Sequence, residues 1–134
     1  MVTLSIVQSS NTHISTTLPE GLVAVFVGAT SGIGEITLKK FAKYTIEPRV
    51  YFIGRSQEAG ERIEAQCREI NPRGEFMFIK ADVSLIQIID EVCETIKAKQ
   101  RSINILFLSA GVITFDRNSR SPHTHHSSRK TTAD

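Results

Sequence analysis

No run of apolar residues in this sequence approaches the ~18 that a membrane-spanning helix needs, so a transmembrane chain is not expected. A secretory leader is not expected either. Met1 to Pro19 has no basic start, and its short apolar run is broken by Gln8 and by a series of Ser and Thr. Cysteine is scarce: Cys67 and Cys93 are the only two, and their spacing fits neither a zinc ligand set nor a redox pair. Both are read as small buried apolar residues. An excess of one charge is also missing. Net charge is +2 with both signs mixed along the chain, which offers no basic stripe to nucleic acid. What is there, 40% hydrophobic and 22% charged residues, is the composition of a soluble globular protein, and the expected location is cytoplasmic. With 134 residues there is room for one domain and one core, but not for a cofactor domain and a separate substrate domain.

The chain divides into a polar leader at 1–20, a patterned region at 21–115 and a polar tail at 116–134. In the patterned region, Leu22 to Val27 is a continuous apolar run, the pattern of a strand buried on both faces of a parallel sheet. Gly28-Ala29-Thr30-Ser31-Gly32-Ile33-Gly34 turns the chain into a helix from about Gly32 to Tyr44, which Pro48 bars from continuing. Arg49 to Ile53 is β-branched and aromatic enough for a second strand. Ser56 then caps a helix whose positions Ala59, Ile63, Cys67 and Ile70 share a face, and Asn71-Pro72-Arg73-Gly74 stops it. Phe76 to Ile79 is the third strand. Ser84, with Gln87 three residues on, makes a capping-box pattern ahead of a stripe at Leu85, Ile88, Ile89, Val92 and Ile96. Ile103 to Ala110 is the fourth strand.

Strands alternating with helices predict an α/β fold: a partial Rossmann arrangement with a parallel sheet of about four strands in the order 3-2-1-4. The third helix is expected on the sheet face opposite the first two, which would keep Cys67 and Cys93 apart. From Asp116 to the end only Ala133 is hydrophobic, so this tail is expected to be disordered. His123, His125 and His126 within it are read as solvated side chains, and no metal site is expected.

The sharpest chemical signal is the glycine turn. A pyrophosphate needs close backbone approach, exposed N–H groups and the positive end of a helix, and Gly28, Gly32 and Gly34 between a buried strand and a helix supply these. A phosphate loop of the nucleotide-triphosphatase kind is excluded, because that loop ends in Gly-Lys-Ser/Thr and this one ends Gly34-Glu35. Cofactor choice turns on the end of the second strand, where an acid would hold the ribose hydroxyls of NAD. Gly54 and Arg55 stand there instead. An arginine pairs with the 2′-phosphate of NADP, so NADP is expected over NAD.

The spacing Gly-x-x-x-Gly-x-Gly, with Asp82-Val83 after strand three and Ser109-Ala110-Gly111 after strand four, resembles the short-chain dehydrogenase/reductase family over roughly Leu22 to Gly111. Within it the chain is similar to fungal members, some of which sit in secondary-metabolite pathways. The resemblance implies an NADP(H)-dependent oxidoreductase by descent. It places Gly28, Gly32, Ile33 and Gly34 at the pyrophosphate, with Thr30 and Ser31 of the same turn among the cofactor-binding residues. Asp82 and Val83 fall near the adenine, and Ala110 and Gly111 behind the cofactor. Asp82 has a second reading as a cap at the approach to the next helix. Ser109 stands where the family often has an asparagine, which weakens any role for that side chain.

The family's tyrosine general acid, with a lysine four residues on, has no counterpart in this sequence: Tyr44 is followed at that distance by Pro48, and Tyr51 by Arg55. No catalytic residue is therefore assigned. The chain is read as truncated and inactive alone, the alternative being a non-catalytic nucleotide-binding or inert fragment. Its expected partners are the dinucleotide, an unspecified substrate and a second copy of itself, through the apolar edge Ile105-Leu106-Phe107-Leu108.

Overall fold

A computed structural model describes residues 1–111. The tail expected at 116–134, with His123, His125 and His126, lies outside the described residues. Four strands, β1 (Val23–Val27), β2 (Arg49–Gly54), β3 (Glu75–Lys80) and β4 (Ile105–Leu108), form one parallel sheet in the order β3-β2-β1-β4. That is the order expected from the sequence. Val25 pairs in register with Tyr51 of β2 and Leu106 of β4, and Tyr51 in turn with Met77 of β3.

Two short helices precede the sheet, α1 (Leu4–Thr12) and α2 (Ile14–Thr17), in a segment where the sequence reading placed only a polar leader. Neither buries a residue. The crossovers that parallel neighbours require are α3 (Gly32–Tyr44), α4 (Gln57–Ile70) and α5 (Ile86–Lys99). No helix of the described residues is long and apolar enough to cross a membrane.

Strand alternation divides the core in two. Ala24, Phe26, Val50, Phe52 and Phe76 face Leu38 and Ala42 of α3 and Ile63 and Cys67 of α4. Val23, Val25, Tyr51 and Ile53 face the other way, toward Ile96 of α5, with Val92 and Ile88 partly buried beside it. The third crossover thus lies opposite the first two, as its place in the strand order requires. The first face is closed at its far end by Asn71, whose Nδ2 donates to the carbonyls of Ala42 and Thr45, both at 2.9 Å. Those carbonyls end α3, and helix-terminal carbonyls need partners from outside the helix.

Two expectations fail on the α5 face. Ser84 does not cap α5: the helix starts after Leu85 with no side-chain cap. The Ser84 hydroxyl donates instead to Asp82 Oδ1 at 2.7 Å, and its N–H donates to the same oxygen at 3.0 Å. A carboxylate two residues back is a stronger acceptor, and it draws the serine away from the helix. Ser56, by contrast, caps α4 as expected, its Oγ accepting from the Ala59 N–H at 3.2 Å. The second failure is Cys93, which is exposed while Cys67 is buried. Among the described residues α5 is the one sheet-crossing helix on its face, so its flanks meet no neighbouring helix. Leu85 and Ile89 of the expected stripe stay exposed for the same reason.

Candidate functional site

At the carboxyl ends of the four strands the chain opens a cleft of about 360 Å³. It is lined by Gly28, Thr30 and Ser31 after β1, Ile53, Gly54 and Arg55 at the end of β2, Ala81 to Ser84 after β3, and Ser109 to Gly111 after β4. Parallel strands deliver all four ends to one edge, and the crevice there is where ligands of open α/β sheets bind.

The turn is built by glycines with distinct duties. Gly28 leaves β1 at φ +87°, and a Cβ on it would press into the backbone of Ala110 and Ser109. Glycine here therefore lets the ends of β1 and β4 close on one another. Gly32 opens α3 at φ +56°, and none of the described residues lies within 4 Å of where its Cβ would stand. The space in front of the helix is left for something to approach the backbone, at the end where unpaired N–H groups and the positive dipole favour an anion. Gly34 does a different job: it is buried, and a Cβ there would run into the Gly28 carbonyl and the Ser109 hydroxyl. It seats α3 against the turn.

Eight of the expected site residues line the cleft: Gly28, Thr30, Ser31, Arg55, Asp82, Val83, Ala110 and Gly111. Gly32, Ile33 and Gly34 do not. Gly32 stands beside the opening, Gly34 is packed beneath it, and the Ile33 side chain points to solvent at 76% exposure. Ile53, Gly54, Ala81, Ser84 and Ser109 line the cleft without having been singled out as ligand-binding. The strand ends held the signal for the first three, since Gly54 closes β2 in register with Lys80 and Ala81 follows β3 directly.

Two charged residues line the cleft among the described residues, Arg55 and Asp82. Hydrogen bonds from the Ser84 hydroxyl and N–H hold the Asp82 carboxyl below the usual carboxylate range, and the positive charge of Arg55 acts in the same direction. Asp82 therefore both closes the turn after β3 and faces the cleft. The groups that meet at the cleft are the backbone at the open end of α3, a carboxylate and an apolar residue after β3, and a guanidinium at the end of β2, a donor and acceptor set that a dinucleotide fits.

Known proteins are similar to this chain in sequence and in fold. The sequence model described as short chain dehydrogenase matches residues 22–132, continuing past Gly111, where the resemblance read from the sequence stopped. An oxidoreductase of Emericella nidulans is 41% identical over 114 residues, 85% of this chain and 34% of the relative. An NmrA-like family domain-containing oxidoreductase of an Aspergillus species is 45% identical over 118 residues, 87% of this chain and 36% of the relative. The chain spans about a third of the length of these curated relatives. Among solved structures, L-sorbose reductase from Gluconobacter frateurii, complexed with NADPH and L-sorbose, superposes with a TM-score of 0.63 at 25% identity, covering 69% of this chain and 34% of that one. An NAD⁺-bound xylitol dehydrogenase superposes with a TM-score of 0.62 at 25% identity over the same shares.

Proposed function

Since this chain belongs to the short-chain dehydrogenase/reductase family, we propose that its cleft is the dinucleotide site of an NADP(H)-dependent oxidoreductase by descent. In this reading Gly28, Thr30, Ser31, Gly32, Ile33 and Gly34 form the pyrophosphate turn, Gly34 by packing it and Ile33 through its backbone. Asp82 and Val83 border the adenine, and Ala110 and Gly111 lie behind the cofactor, whose nicotinamide supplies the hydride chemistry when bound. The observation that carries the reading is the pairing of Gly28, closed against Ala110, with Gly32, open to a ligand, at one end of a parallel sheet.

The preference for NADP rests on Arg55. It lines the cleft at the end of β2, where no carboxylate stands to hold a ribose diol. Relatives of this fold bind either cofactor: the L-sorbose reductase is complexed with NADPH and the xylitol dehydrogenase with NAD⁺. Calorimetric titration decides the matter. NADPH should bind more tightly than NADH, and Arg55→Glu should erase a preference on the order of tenfold, the worth of one charge-assisted hydrogen bond at a solvent-open site. Equal affinities in the unaltered chain would overturn the assignment.

In this reading the residues present bind the dinucleotide, and none of them is assigned as the proton donor of a reduction. Protonation of the developing alkoxide needs a donor within about 2.6–3.2 Å of the substrate oxygen, and general acid catalysis contributes roughly 10²–10⁴-fold. Neither tyrosine has the lysine partner four residues on, and Tyr51 is buried in the sheet core with its hydroxyl bonded to Gln100 at 2.9 Å. NADPH oxidation against a panel of ketones and quinones should show no turnover. Activity abolished by Tyr44→Phe or Tyr51→Phe would refute this. The same reading includes self-association through β4, whose outer edge has no strand partner among the described residues and whose Leu106 and Leu108 are 60% and 68% exposed.

A further inference from the structure

Ser109 replaces the asparagine that the resemblance leads one to expect, and its surroundings give the hydroxyl work of its own. The Ser109 N–H donates to the Val27 carbonyl at 2.9 Å, so the ladder between β1 and β4 continues one residue beyond Leu108. Its Oγ lies 3.1 Å from the Gly28 carbonyl and 3.3 Å from that of Val27. One hydroxyl proton serves one of them well. Val27 already accepts from the Ser109 N–H, and Gly28 is nearer, which makes Gly28 the better acceptor. Among the described residues no other side chain donates to the Gly28 carbonyl. The same Oγ stands 2.6 Å from where a Cβ on Gly34 would be. The end of β4, the start of the turn and the first turn of α3 therefore meet at one oxygen, on the wall of the cleft.

We propose that Ser109 is a positioning residue for the dinucleotide, holding the Gly28 carbonyl toward β4 and so fixing the turn that receives the pyrophosphate. The peptide between Gly28 and Ala29 is planar, so anchoring its carbonyl also fixes the direction of the Ala29 N–H. Gly28 stands at φ +87° with no side chain of its own to hold it, and without the hydroxyl its carbonyl loses a restraint at the point where the backbone must be pre-arranged for the anion. The absence of a side chain at Gly34 is the matching half of this device, since it leaves room for the oxygen.

The proposal rests on the dinucleotide reading of the cleft, and the experiment separates the two. NADPH and adenosine 2′,5′-bisphosphate are titrated calorimetrically into the unaltered chain, Ser109→Ala and Ser109→Thr, with thermal unfolding of each in the absence of ligand. The bisphosphate carries the adenosine end and the 2′-phosphate but no pyrophosphate bridge. Ser109→Ala should weaken NADPH by about three- to tenfold, the range of one net hydrogen bond. It should leave bisphosphate affinity unchanged, with no more than the small fall in unfolding midpoint that one lost hydrogen bond brings, and Ser109→Thr, which keeps the hydroxyl, should restore NADPH binding. Unchanged NADPH binding in Ser109→Ala, equal losses for both ligands, a loss tracking a midpoint lowered further than that, or failure of Ser109→Thr to restore binding would each overturn the positioning role while leaving the dinucleotide reading intact. Failure of the unaltered chain to bind either ligand would remove both.

Discussion

Glu35, one residue past the last glycine of the turn, accepts hydrogen bonds from Arg62 of α4 at 2.9 and 3.2 Å and from Lys39 at 2.6 Å. Arg62, and then Lys39, lower its carboxyl to about 2 against an ordinary 4.5. A carboxylate with a depressed folded-state pKa contributes stability that is present above its unfolded value and is lost as pH falls through the folded one. Glu35→Gln should therefore cost about 1 kcal/mol near pH 7, since Arg62 is half exposed and screened, and the difference should shrink between about pH 4.5 and pH 2. Urea unfolding at several pH values measures this, and a difference that does not change with pH would contradict it. The role was not legible in the sequence, because Arg62 stands 27 residues away and meets Glu35 only once α3 and α4 share a sheet face. Gly34 was legible as a site glycine, but its purpose was not. A Cβ there strikes the Gly28 carbonyl and Ser109, so Gly34→Ala should destabilise by about 1–3 kcal/mol, an overpacking cost visible in unfolding as well as in nucleotide affinity.

The two serines expected to cap helices offer a direct comparison between elements. Ser56 accepts from the Ala59 N–H, and Ser56→Ala should cost about 1 kcal/mol, the usual worth of a cap. Ser84 bonds Asp82 instead of capping α5, so Ser84→Ala should change stability by no more than about 0.5 kcal/mol, as for a surface substitution. Chemical denaturation of both variants checks the pair, and equal losses would restore the capping box. The element boundaries were readable because local chemistry sets them: α3 runs from Gly32 to Tyr44, as glycines and Pro48 dictate, and β2 starts at Arg49. Which residues of α5 are buried was not readable. Periodicity marks a stripe, but burial depends on what stands opposite, and only Ile96 of that helix is fully covered. Cys93 illustrates the point, since its helical position favours the sheet while its place on the flank leaves it in the open. Helices α1 and α2 were missed because nothing in the leader shows an apolar period, and they bury nothing.

At the scale of the whole molecule, strand order and helix faces followed from the alternation of strands and crossovers. The convergence of four strand ends on one cleft came with them, and eight of the eleven residues expected at the site from the sequence line that cleft. The outer edge of β4, without a strand partner among the described residues, was legible too. Light scattering should show a mass that rises with concentration, and Leu106→Lys should suppress the rise, because a charge on an exposed edge strand opposes pairing between copies. A mass that stays monomeric across the range would refute the association. The divided core has a further consequence, in how the molecule comes apart. In β2, Val50, Tyr51, Phe52 and Ile53 are closed on both faces and bonded to strands on both sides. Among the described residues strand β4 is bonded on one side, α5 holds one fully covered residue, and α1 holds none. Amide protons should therefore exchange with solvent deuterium in ranked tiers: α1 at nearly free-peptide rates, α5 and β4 through partial opening, and β2 only when the whole chain unfolds. The wall of the cleft made by β4 would then open and close far more often than the wall made by β2, and a nucleotide bridging the two would slow exchange most at Ser109 and Ala110.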